Sequence, residues 1–156
     1  MISVEVISES KLWSKRIKKK DFFFNSILSH LPQKYKFNQK RLSLTLLLSN
    51  NQNIKRLNKK FRNKNQATDV LSFPFEKKLN IKNSLYIGDI IMSYEFMNKP
   101  KISNSLDFKN KVTKIFIHGF LHLLGYDHIK LKDFKEMFSE EEKIYQTIEK
   151  KIVKLV

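Results

Sequence analysis

The sequence contains no cysteine, which excludes both disulfides and thiolate metal ligands. Any metal held by this chain must be bound by histidine, aspartate or glutamate. Glycine is nearly as scarce, at 3 of 156 residues, against about 7% in ordinary proteins. No apolar stretch approaches the length of about 18 to 20 residues that spans a bilayer. The opening Met1-Ile-Ser-Val-Glu-Val-Ile lacks a basic leader followed by an apolar run, and Glu5 and Glu9 interrupt the region, so it does not read as a signal peptide. These absences lead us to expect a soluble, cytoplasmic protein with no membrane partner.

Acidic residues are also few. The 15 Asp and Glu face 31 Lys and Arg, a formal net charge of +16. Such an excess suits a polyanion, most often nucleic acid, because each neutralised phosphate releases counterions. A compositional drift toward Lys, Asn, Ile and Phe would produce the same excess as a solvated face, so charge alone leaves both readings open.

A length of 156 residues fits one compact domain covering 1–156, large enough to bury a core without staples. Alternation over residues 2–7 predicts a short strand. Trp13, Ile17, Phe23, Phe24, Ile27, Leu28 and Leu31 suit one or two helices ending at Pro32, with His30 as a helix-end cation. Residues 42–48 read as a strand, and 50–61 as a helix with Ile54, Leu57 and Phe61 on one stripe. Residues 68–75 form a strand candidate that Pro74 places at an edge or an end. A polar loop over 77–84 precedes a strand over 85–92, where Gly88 suggests a bulge or a close backbone approach. A short helical piece near 94–98 and a break at Pro100 lead to a central helix over about 107–124. A final helix begins near Asp133, which with Glu136 resembles a capping box. The fold class expected is mixed α+β: about four strands in a mixed sheet with five to six helices.

The chemistry concentrates in His118-Gly-Phe-Leu-His-Leu-Leu-Gly-Tyr-Asp-His128, which holds three of the chain's 4 histidines. His118 and His122 are i and i+4, about 40° apart around a helix and about 6 Å apart along it, so both imidazoles can meet one ion. Gly125 can take the left-handed conformation that ends a helix, and the turn brings His128 back as a third ligand. Three neutral imidazoles with one open position are a catalytic zinc arrangement, and they leave the ion's full charge to acidify a water ligand. The scarce glycines support this, since Gly119 and Gly125 are two of the 3. The spacing is also that of metzincin peptidases, which carry a glutamate base directly after the first histidine. Here that residue is Gly119, which disfavours peptide hydrolysis.

The same eleven residues resemble the defining motif of the YbeY endoribonucleases, bacterial zinc-dependent ribosomal RNA maturation factors. Asn58-Lys-Lys-Phe-Arg62 with Thr68-Asp-Val-Leu-Ser-Phe-Pro74, and Ile87-Gly-Asp-Ile-Ile91, resemble two further blocks of that family in the same order. The resemblance covers most of the chain and is weakest over roughly the first forty residues and the lysine-rich tail. It implies a zincin-like metallohydrolase fold, one zinc ion per chain on His118, His122 and His128, and single-strand-specific RNA cleavage. It also implies a role at the 3′ end of 16S rRNA and in ribosome quality control, with rRNA and ribosomal particles as partners and no DNA specificity.

Arg62 matches the family's arginine, and its planar fork suits phosphate oxygens; an exposed helix-end arginine is the plainer reading. Catalytic roles are therefore assigned to Arg62 and His118. Asp69, Asp89 and Asp127 are candidates to steady a ligating imidazole, or else turn and cap residues. The competing functional reading is a non-catalytic RNA-binding ribosome assembly factor with a structural zinc site.

Overall fold

The computed structural model describes residues 1–76 and 85–155, so the polar loop expected over 77–84 lies outside the described residues. Four strands form one mixed sheet: β1 (Ile2–Ser8), β2 (Leu42–Ser49), β3 (Val70–Pro74) and β4 (Tyr86–Ser93), in the order β1-β2-β4-β3. β1 and β4 each run parallel to β2, and β3 runs antiparallel to β4. The two middle strands pack on both faces: Leu42–Ser49 alternates Leu-Ser-Leu-Thr over its first half and runs Leu46-Leu-Leu48 over its second, where both faces are covered. Leu44, Leu46, Leu48, Ile90 and Met92 enter the main core. Leu47, Ile91 and Leu71 turn the other way, onto Ile54. β3 is an edge strand and ends on Pro74, as its lost N–H donor requires.

Among the described residues, six α-helices pack around the sheet: α1 (Lys11–Arg16), α2 (Lys20–Ser29), α3 (Asn51–Arg62), α4 (Tyr94–Met97), α5 (Ser105–Leu123) and α6 (Leu131–Ile152). The apolar run from 12 to 31 thus splits into two helices. α5 is the central helix, with Phe108, Val112, Phe116 and Phe120 buried in the main core. It starts two residues earlier than the pattern suggests because the Asn104 side chain caps it, accepting from the Asp107 N–H at 3.0 Å.

Two local expectations are corrected. The final helix begins at Leu131 rather than Asp133, and no side chain caps it; Asp133 sits in its first turn, where its charge complements the helix dipole. On α3, Phe61 is exposed and Asn58 takes the buried place, its amide donating to the Gln66 carbonyl at 2.8 Å and pinning the loop after Arg62.

Gly88 forms the expected bulge. The β2–β4 register shifts between Ser43 and Leu44, leaving Ile87 as the extra residue, and Gly88 has φ +141°. A Cβ there would lie 2.3 Å from the Phe73 carbonyl oxygen and 2.9 Å from Leu123 Cδ2. This glycine therefore lets the edge strand and the C-terminal end of α5 close onto β4. Gly88→Ala should lower stability by about 2 kcal/mol or more in denaturant titration; an unchanged midpoint would mean that this close approach does not exist in solution.

Candidate metal centre

α5 ends in a way that builds the site. Leu124 is its C-cap, Gly125 follows at φ +97°, the Gly125 N–H donates to the His122 carbonyl at 3.0 Å, and the Tyr126 N–H to the Leu121 carbonyl at 3.1 Å. This double bond pattern is the Schellman turn, which reverses the chain just past the helix. The reversal carries His128 back over His118 and His122, and the three rings lie with centroids 4.7 to 5.4 Å apart. Each histidine offers one ring nitrogen, and these atoms all fall within 4.8 Å of one another.

The outer nitrogens of the two helical histidines are already engaged. His118 Nδ1 stands 2.6 Å from the Glu141 carboxylate, and His122 Nδ1 stands 2.9 Å from the Tyr126 carbonyl. A carbonyl and a carboxylate only accept, so both Nδ1 atoms carry the proton, and in the neutral rings that ligate a metal both Nε2 atoms then present lone pairs inward. Those two Nε2 atoms are 3.1 Å apart. Two lone pairs that close repel unless a cation lies between them. Two ligands at about 2.0–2.1 Å on a tetrahedral ion would themselves be about 3.3 Å apart. The donor set thus fits a divalent ion with imidazole preference. Burial, reinforced by the nearby His118 ring, holds the His122 imidazole below its ordinary pKa and so keeps it neutral, the form that can ligate.

None of the three aspartates proposed as imidazole partners serves that role. The Asp69 carboxylate accepts from the Val70 N–H, Asp89 from the Tyr86 hydroxyl, and Asp127 from the His128 N–H. Each is a local turn or strand contact. The residues that steady the histidines are Glu141 of α6 and the backbone of Tyr126. No local pattern could reveal Glu141, which lies 23 positions from His118 and meets it only because α6 packs on α5. The Tyr126 hydroxyl joins a second tie: Tyr35 bonds to both Tyr126 and Glu140, and Lys34 stands 3.5 Å from Glu140. That hydroxyl bond, ahead of the nearby lysines, lowers the Glu140 pKa, while burial raises that of Tyr35.

The three histidines open onto a cleft of about 560 Å³ that also takes in Arg62, Lys64, Asp69, Ser72 and Asp127. The structure therefore brings Arg62 to the same cleft as the histidines. Arg62 is the last residue of α3, and its exposed neighbours Lys55, Arg56, Lys59 and Lys60 extend positive charge away from the cleft. His30, by contrast, bonds its own helix through the Ser26 carbonyl and takes no part. Gly119 faces the sheet: a Cβ there would be 3.0 Å from Ser72 Oγ and 3.1 Å from Ile90 Cγ2. The position that carries a glutamate base in metzincins is packed tightly against the sheet here, so that even a Cβ would press on Ser72 and Ile90.

A family model described as "Endoribonuclease YbeY" matches residues 6–149. A protein named Endoribonuclease YbeY from Pelagibacter ubique is 66% identical over 152 residues, covering 97% of this chain and 99% of its own length. Another of that name from Sulfurihydrogenibium sp. is 33% identical over 144 residues, covering 92% and 91%. The solution structure of TM1509 from Thermotoga maritima superposes with a TM-score of 0.55 at 27% identity, covering 95% of this chain and 89% of that one.

Two outcomes follow for metal binding. Glu141→Ala should weaken metal affinity by roughly 10- to 100-fold, whereas Asp89→Asn should leave it unchanged. Equal effects of the two would remove Glu141 from the site. Metal affinity, measured by competition with a chromophoric chelator, should also fall as pH is lowered from about 7.5 to about 5.5, since protons compete for the same nitrogens. A flat profile would show that imidazoles are not the ligands.

Proposed function

From the premise that this chain belongs to the YbeY endoribonuclease family, we propose that it is a zinc-dependent endoribonuclease that cleaves single-stranded RNA, acting at the 3′ end of 16S rRNA and in ribosome quality control. Its partners are then rRNA and ribosomal particles rather than DNA, in the cytoplasm, and the domain responsible spans 1–156. Among the described residues, no helix is long and apolar enough to cross a membrane.

The observation that carries this reading is the pair of inward lone pairs on His118 and His122, facing a cleft that Arg62 shares. His118, His122 and His128 would hold the ion. Zinc bound there supplies Lewis acidity toward a phosphoryl oxygen and makes water a stronger acid. The chain's own groups do the rest. Glu141 and the Tyr126 carbonyl fix the ring orientations, so the ligand nitrogens need no reorganisation when substrate arrives. The Arg62 guanidinium offers paired donors to non-bridging phosphate oxygens and stabilises the charge that develops on them, with Lys64 adding a second cation. The opening of the histidines to a cleft argues against a purely structural zinc, because structural sites are closed by a fourth protein ligand.

The test is metal content measured beside cleavage of a 16S 3′-end precursor. The parent should hold about one zinc per chain, and His118→Ala and His122→Ala should lose both metal and cleavage. Arg62→Ala should keep the metal and cleave roughly 100- to 1,000-fold more slowly. Histidine variants that cleave as well as the parent would sink the proposal and point to a contaminating nuclease.

A further inference from the structure

α6 shows solvent an aromatic face that packing does not account for. Its buried side is Met137, Ile144, Ile148 and Ile152. Phe134 and Phe138, one turn apart, are nonetheless 49% and 53% exposed, with ring planes within 13° of parallel and centroids 6.3 Å apart. They line a small hollow together with His118, His128, Met137 and Glu141. That hollow shares His118 and His128 with the cleft that contains Arg62. The histidines therefore have a cationic cleft on one side and a pair of exposed, near-parallel aromatic rings on the other. The segment leading to these rings alternates Ile129-Lys-Leu-Lys132, with every one of these side chains exposed, and exposed Lys135 lies beside Phe134.

We propose that Phe134 and Phe138 form the stacking shelf for an unpaired base of the RNA, next to the phosphate held at the histidines. This rests on the reading that the protein cleaves RNA, and it assigns a place for the base where that reading placed only the phosphate. The occupant follows from the surroundings. A protein partner would need a continuous apolar patch, but lysines at 130, 132 and 135 interleave this one, and they suit the phosphates on either side of a stacked base. Every base has a π-face, so such a shelf selects for strandedness rather than sequence: a paired base has both faces occupied and cannot use it. Arg62 on one side and the phenylalanines on the other would then hold a strand across the histidines.

The experiment compares the metal-loaded parent with the Phe134→Ala/Phe138→Ala and Phe134→Tyr/Phe138→Tyr double variants. The substrate is a short single-stranded oligoribonucleotide, made also with an abasic nucleotide beside the scissile bond. Both positions are on the surface, and zinc content and thermal unfolding report whether fold and site survive. The alanine pair should raise KM by roughly 5- to 100-fold with kcat changed less than about threefold, and the tyrosine pair should restore the parent KM. The abasic substrate should cost the parent about what the alanine pair costs, and add nothing to it. If the parent cleaves RNA and the alanine pair leaves KM unchanged, the shelf is wrong while the enzymatic reading stands; binding of a protein lost in that variant would then mark the face as a docking surface. If the tyrosine pair, folded and metal-loaded, fails to restore KM, stacking is not the role. A parent that cleaves no RNA overturns the functional reading and the shelf with it.

Discussion

The structure turns on the approach of two imidazole nitrogens, His118 Nε2 and His122 Nε2, to 3.1 Å with both lone pairs aimed at one point. Neighbouring turns of a helix bring side chains within about 6 Å, not 3 Å, so the last part of the approach has to be imposed. Two acceptors impose it: Glu141 from α6 and the Tyr126 carbonyl from the turn that ends α5. Each needs its own support. Glu141 depends on α6 packing on α5, and the Tyr126 carbonyl depends on the Schellman turn at Gly125. The ring of Tyr126 adds a tie through Tyr35 to Glu140, so α6 anchors the metal loop and one of its ligands at adjacent positions.

The histidine site was legible because its spacing is local. An i, i+4 pair, a turn glycine and a third histidine three residues on are a one-dimensional record of a three-dimensional arrangement. The strands were legible for the same reason, since β2 places leucine at every inward position and the bulge is marked by a glycine in a chain with almost none. What could not be read comes from long-range or main-chain contacts. Glu141 is one acid among many on a highly charged, amphipathic helix, and the Tyr126 carbonyl leaves no side-chain signature. The aspartates that looked like partners were spent locally, as short acids at turns commonly are. The start of α6 was misplaced because Asp133 and Glu136 mimic a cap that the backbone does not use.

Gly119 gains a meaning beyond the absence of a glutamate. It sits where α5 lies against the sheet, its carbonyl accepting from the Ser72 hydroxyl at 3.0 Å while Ile90 packs beside it. The same contact brings the edge strand β3 up to the histidines, so Thr68, Asp69 and Val70 border the cleft. One small residue thus leaves the helix without a base at this position and shapes the wall of the cleft facing the histidines. With the base position filled by packing, charge stabilisation falls to groups outside the helix. Arg62 is in place for that role because Asn63, at φ +56°, ends α3 just after it and Asn58 ties down the loop beyond.

Convergence of three imidazoles on one ion in an open site is read by X-ray absorption at the zinc edge of protein loaded with one equivalent of zinc. Three imidazole nitrogens at about 2.0–2.1 Å and one non-protein oxygen donor are expected. Two imidazoles or fewer, or four protein ligands closing the ion off from solvent, would contradict this arrangement.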